Sequence, residues 1–205
     1  AFPSKTIGAV WIDAHADLHS PFSTPSGNVH GMPLAAALGN DNLEYKKNTV
    51  SDKTLSDWEQ LKNMGTVFPI LKPEHLVYFG VRDIEEEEAS IMDAHQIKNY
   101  PVYEVRQRGL SVCVEETIKK LADVDLIYIT FDVDALDCDL ISRGTGTPVS
   151  KGFDPNEVIE LIKGVLRSGK VVALEVCEIN PLLDEKGNFM AETAFEIIQS
   201  LFDSN

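Results

Sequence analysis

A chain of 205 residues, 43% hydrophobic and 25% charged, is long enough for one domain with a sizeable core. No apolar run approaches the roughly 20 residues that span a bilayer, and the opening AFPSKTIGAV lacks the basic start and apolar stretch of a signal peptide. The formal net charge of −15 argues against nucleic acid and anionic membrane as partners, which reward clustered lysine and arginine, and suits a cationic substrate or metal ions.

In chain order, the first expected strand is GAVWID (8–13). It begins almost at the first residue, and a sheet strand carrying chemistry is rarely the edge of a fold, so further chain upstream is expected. Residues 40–56 read as a polar connection. HLVYFGV (75–81) is the second strand. A helix follows Arg82, opening on IEEEEAS, acidic where a helix N-terminus favours acid. PVYEV (101–105) is the third strand, a weak helical pattern covers 111–122, and LIYITFD (126–132) is the fourth strand. The clearest helix is 154–168. Asp154 can cap it, Pro155 takes its first position and Glu157 completes an acidic capping box, while Val158, Leu161, Ile162, Val165 and Leu166 form one apolar stripe. VVALEVCEI (171–179) is the fifth strand, and a weaker helical pattern runs from 188 to 202. Continuous rather than alternating apolarity predicts a parallel sheet covered on both faces, and the alternation of strands with helices predicts an α/β sandwich. Cys113, Cys138 and Cys177 are too few and scattered for a disulfide framework or a thiolate metal site, which predicts a reducing, cytoplasmic compartment.

Two acidic clusters stand directly behind apolar strands. Asp13, His15 and Asp17 follow the first, and if the segment stays extended their side chains share one side. Asp132 and Asp134, in FDVDALD, follow the fourth. In open α/β sheets sites form beyond the carboxyl ends of the strands, so the clusters can converge. One Asp-x-Asp at a turn is ordinary. Four carboxylates brought together behind buried strands, with an imidazole beside them, need compensating positive charge, and two divalent cations would supply it. Carboxylate and imidazole ligands without thiolate favour a harder metal such as Mn²⁺, and a metal pair would deprotonate a bridging water.

The segments DAHADLHSP, TPSGNVHGMPLAAALG, FDVDALD, GTGTPV and EINPLLDE resemble the ureohydrolase superfamily, and among its branches the arginases, over nearly the whole chain. The resemblance implies a three-layer α/β/α sandwich with a mainly parallel sheet, residues 1–205 forming a single domain that corresponds to the carboxyl-terminal two-thirds of the family fold. It implies two Mn²⁺ per active site, with Asp13, His15, Asp17, Asp132 and Asp134 as metal ligands. Asp13 and Asp132 would bridge the ions, and Asp17 would also hold the nucleophilic hydroxide. His30 would shuttle the proton to the leaving amine, and Glu178 would pair with the guanidinium. Thr24, Ser26 and Asn28 would meet the α-carboxylate, and Thr147 would line the pocket. The activity implied is hydrolysis of L-arginine to L-ornithine and urea, in a homotrimer or homohexamer.

Three departures qualify that expectation. The family's upstream Gly-Gly-Asp-His-Ser motif, with its first histidine ligand, does not occur in these 205 residues. His19 stands where arginases carry Asn against the α-carboxylate, and Glu85 where a shorter Asp recognises the α-amino group. DCDLISRGTGTP also holds one residue more than the family spacing. The alternatives are a related amidino hydrolase acting on agmatine, guanidinobutyrate or formiminoglutamate, or an inactive homologue retaining the fold.

Overall fold

The structure, a computed structural model, describes residues 4–203. Five strands, β1 (Ile7–Ile12), β2 (Leu76–Phe79), β3 (Lys98–Tyr100), β4 (Leu126–Asp132) and β5 (Val171–Cys177), form one sheet in the order β3-β2-β1-β4-β5, with every pairing parallel. The chain builds outward from β1 through β2 to β3, then crosses back to place β4 on the other side of β1. The order therefore reverses between β1 and β4, where an open α/β sheet leaves a crevice at the strands' carboxyl ends.

Seven helices accompany the sheet: α1 (Pro33–Leu38), α2 (Asp52–Lys62), α3 (Glu86–Ala94), α4 (Val102–Arg108), α5 (Leu110–Lys120), α6 (Pro155–Leu166) and α7 (Phe189–Phe202). One face of the sheet buries Val10, Ile12, Val77, Phe79, Ile129 and Phe131 against side chains of α4, α5, α6 and α7. The other buries Ala9, Trp11, Leu76 and Tyr78 against Leu34 of α1 and Ile91 and Met92 of α3. Helix, sheet and helix layers are thus all present, as expected. No helix among the described residues is long and apolar enough to cross a membrane.

The sequence pattern misplaces some elements. Residues 101–105 are not a strand: they open α4, and β3 lies just before them at Lys98–Tyr100. Pro101 stands at the helix start, where its missing N–H is harmless, and its carbonyl accepts from Glu104 and Val105. Val102 and Val105, three apart, face the core while Tyr103 is 72% exposed, a helical period that so short an apolar run could not reveal. The expected polar connection at 40–56 already contains the start of α2, capped by the Ser51 side chain on Thr54 N. At β5, the edge of the sheet among the described residues, Val172 is 53% exposed.

Candidate metal centre and substrate cavity

β1 and β4 deliver their last residues side by side at the reversal of strand order, and Asp13 and Asp132 emerge there. Asp13 is fixed by three bonds. Its own N–H donates to Phe79 O (3.1 Å), its Oδ2 accepts from the Trp11 indole (2.9 Å), and its Oδ1 from His15 N (2.7 Å). Asp134 follows in a single helical turn. Its Oδ1 accepts from Ala14 N (3.1 Å), and its Oδ2 from the Thr147 hydroxyl (3.0 Å). His15 Nδ1 lies 3.0 Å from Asp134 Oδ2 and 3.6 Å from Asp13 Oδ1. Asp132 Oδ1 accepts from Asp134 N (2.8 Å).

The segment after β1 does not stay extended, so strand alternation is not what gathers the three side chains. Ala14 O turns to accept from the backbone of Arg82 and Asp83, and Asp17 adopts a left-handed φ of 54°. Of the five non-glycine residues in that sparsely populated region among the described residues, Asp17 and Glu178 (φ 61°) line this site, and Asn42, Gln96 and Lys151 lie elsewhere. Such backbone persists only where the surroundings over-determine it, and it collects at functional sites. Here the surroundings are explicit. Tyr78 OH donates to Ala16 O (2.6 Å), Leu34 N to Asp17 O (3.1 Å), and Leu18 N to the buried Glu88 carboxylate (3.0 Å). Asn180 N, two residues beyond Glu178, donates to Gly144 O (2.8 Å), and Asp184 accepts from Ser142 and Met190 N, which ties EINPLLDE to GTGTP.

Burial governs the electrostatics. It pushes the Asp13 carboxyl up to about 6 against the lowering hydrogen bond from His15. Asp132 rises to about 10, from burial first and then the charges of Asp134 and Asp13. Asp17 is raised well above the usual carboxylate range by burial and by Asp13. Burial opposes the charged form of His15, yet its hydrogen bonds to Asp13 and Asp134 carry it up to about 11. Burial would lift Asp134 too, but the His15 hydrogen bond and charge hold it below the usual range. Ligand atoms of Asp13, His15 and Asp134 lie within 4.8 Å of one another, and carboxylates beside an imidazole are a donor set that fits a divalent ion.

A cavity of about 530 Å³ opens over this centre. Asp13, His15, Asp17, Asp132 and Asp134 line it, together with His30, Glu178, Thr147, His19, Glu85, Thr24, Ser26 and Asn28. The structure thus brings every expected site residue to one cavity. Asp13, His15 and Asp134 form its tight cluster, with Asp17 and Asp132 beside them. His19, Glu85 and Glu88 form a second cluster within the same 4.8 Å limit. The chain over residues 2–203 matches the sequence profile of the Arginase family.

The chain belongs to the arginase family.

Two arginase relatives are the enzyme of Bacillus subtilis (strain 168), 33% identical over 195 residues, and that of Bacillus caldovelox, 34% identical over 199. These alignments cover 95% and 97% of this chain and 60% of each relative, so the chain spans about three-fifths of the curated relatives it matches. A crystal structure of arginase from Bacillus subtilis superposes with a TM-score of 0.81 at 32% identity, covering 98% of this chain and 64% of that one. This arginase-family fold also uses residues that the sequence reading did not single out. Arg82 donates to Gly80 O, Asp134 O, Val149 O and Ser150 O, and so clamps the loop of Asp134 to that of Thr147. Its sign in the sequence was an isolated basic residue directly after a buried strand. Glu88 could have been found as the partner of Glu85, three residues back, in the α3 capping box.

Proposed function

We propose that this chain carries the metal centre and substrate cavity of a manganese-dependent hydrolase of arginase type, which cleaves a terminal guanidinium group to urea and an amine, L-arginine giving L-ornithine. The observation that supports this reading most is the composition of the cavity. Nine carboxylates and three imidazoles line it, with no lysine or arginine among the described residues, and two of the carboxylates and one imidazole converge on one cluster. A planar cation is drawn to such a site.

Asp13, His15, Asp17, Asp132 and Asp134 would hold two Mn²⁺ ions, which when bound activate water and polarise the reacting carbon. Glu178 pairs with the guanidinium and presents its carbon to the cluster. Asp17 accepts a hydrogen bond from the attacking water and fixes its approach. Water adds to the carbon, the bond to the chain nitrogen breaks, and His30 delivers the proton with which that nitrogen leaves as an amine. His30 suits the task by position: it stands on an exposed turn at the cavity wall, where it can exchange protons with solvent. Positioning and electrostatics carry the reaction, with no covalent enzyme intermediate. The homo-oligomer implied by the family resemblance, and the cytoplasmic location read from the scattered cysteines, belong to the same proposal.

Urea release from L-arginine by purified protein incubated with Mn²⁺ tests the reading. Urea formed only with metal supports it; metal uptake without urea from any guanidino compound supports the inactive homologue instead. A related amidino hydrolase, differing in the tail of its substrate, is favoured by one observation: His19 lies 3.1 Å from Glu85.

A further inference from the structure

The cavity holds two clusters, Asp13, His15 and Asp134 in one and His19, Glu85 and Glu88 in the other. A substrate whose guanidinium is held at the first has the second, and the Thr24–Asn28 loop next to Ser23 and His19, to receive its tail. The possible partners of a tail there are unevenly committed.

The donors are free. Thr24 Oγ1 accepts from Gly27 N (3.0 Å) and Ser26 Oγ from Asn28 N (3.2 Å). Each hydroxyl is thereby anchored through its oxygen, and its single proton has no acceptor among the described residues. The Asn28 amide is likewise unspent. Three neutral donors line one wall, the equipment that receives a carboxylate.

The acceptors are occupied. The Glu85 carboxylate takes the backbone N–H of Glu88 in the α3 capping box and also faces His19 Nε2 at 3.1 Å. Glu88, 3% exposed, accepts from Leu18 N through one oxygen and from Glu85 N (3.4 Å) through the other. His19 is itself only 6% exposed and held by Ser23 Oγ on Nδ1 (3.2 Å), so its ring is fixed with Nε2 toward Glu85 and 3.7 Å from Glu88. An ammonium seeking these carboxylates must displace a buried imidazole, leaving its Nε2 without a partner.

We infer that His19 is a specificity-determining residue that closes this second cluster to the α-ammonium of an amino acid, so that the enzyme prefers an ω-guanidino carboxylic acid lacking the α-amino group, of the 5-guanidinopentanoate kind, to arginine. The inference rests on the guanidinium-hydrolase reading above. It makes the His19–Glu85 pair a selector of substrate, where the asparagine of the family resemblance would leave the acidic residue open to the ammonium.

Three compounds separate the contributions of the tail: 5-guanidinopentanoate keeps the carboxylate alone, L-arginine both groups, and agmatine the ammonium alone. With Mn²⁺ added, urea release should be most efficient with 5-guanidinopentanoate and least with agmatine. The margin over arginine should be about tenfold in kcat/KM, the effect of one polar group losing its partner. His19→Asn should erase that margin by lowering KM for arginine with little change in kcat, and His19→Gln should follow it. Their melting temperatures and Mn²⁺ uptake report whether the fold is intact. Arginine preferred by the unaltered protein, or a margin indifferent to both substitutions, would overturn the inference. Titration calorimetry with 5-aminopentanoate and L-ornithine reads the same preference without turnover. Tighter binding of 5-aminopentanoate that reverses in His19→Asn supports the selector, and tighter L-ornithine binding overturns it. No urea from any compound, with that tail preference intact, refutes the hydrolase reading while leaving the selectivity of the subsite standing.

Discussion

Glu178 and His30 reach the same cavity by different means, and substitution should separate them. Glu178 stands on a left-handed backbone turn, and a methyl group added at Gly146 would lie 3.8 Å from its Oε2. If it is the fixed partner of the guanidinium, Glu178→Ala should abolish turnover, since losing one member of a charged hydrogen-bonded pair in a closed site costs about 2–5 kcal/mol. Near-normal urea release from that variant would remove Glu178 from the mechanism. His30→Ala should lower kcat by about 10²-fold, as loss of a positioned acid or base does, with KM little changed. A rise in KM at constant kcat would instead make His30 a binding residue. Neither residue stood out by itself, since a Glu after an apolar strand and a His in a polar loop are ordinary; the motifs that resemble the family singled them out. What strand periodicity mispredicted was how Asp13, His15 and Asp17 meet: Asp17 turns left-handed, and three tertiary hydrogen bonds, from Tyr78, Leu18 and Leu34, hold the loop in place.

Among the elements, α6 was read most completely, because its signals are local. Asp154 Oδ1 accepts from Glu157 N (3.0 Å), and Glu157 Oε2 from Asp154 N (2.8 Å). Asp154→Ala removes the cap and should lower stability by about 1 kcal/mol, measured as a fall in the urea midpoint at unchanged slope. β1 and β4 are joined at their starts by Asp125, which accepts from Thr6 N (2.9 Å), Lys5 Nζ and the Thr6 hydroxyl. The Thr6 N–H first, and then the Lys5 ammonium, hold this carboxyl down at about 2. A carboxyl whose folded value lies below its unfolded one, about 3.9, stabilises the fold above that value and loses the contribution as pH falls through the folded one. The urea midpoints of the unaltered protein and Asp125→Asn should therefore differ at neutral pH and draw together as pH falls from about 4 toward 2; a constant gap would exclude the charge as its source. By contrast β3 and α4 were confused at 101–105, since a five-residue apolar run carries no decisive period and only packing against the core selects the helix.

For the whole molecule the decisive quantity is metal content. Five of the six ligands implied by the family resemblance stand in these 205 residues, and on the proposed reading Asp13, His15, Asp132 and Asp134 would build one site. The purified chain should therefore keep one Mn²⁺ through dialysis and hold a second weakly, and the bound ion should raise the melting temperature by mass action. Two equally tight ions held by these 205 residues, by calorimetry and metal analysis, would mean that another side chain supplies the sixth ligand, with His19 the first to test. The sequence by itself determined the sandwich, the strands that carry the site and the chemical character of its donors. Those follow from apolar runs, helix caps and strand-end acids that act over a few residues. Only the tertiary structure decided the rest. The reversal of strand order between β1 and β4 creates the crevice, Arg82 clamps Asp134 to the Thr147 loop across 52 to 68 residues of sequence, and His19 meets a carboxylate 66 positions away. Hydrogen bonds over such separations have no local pattern to announce them, because they exist only once the layers have packed.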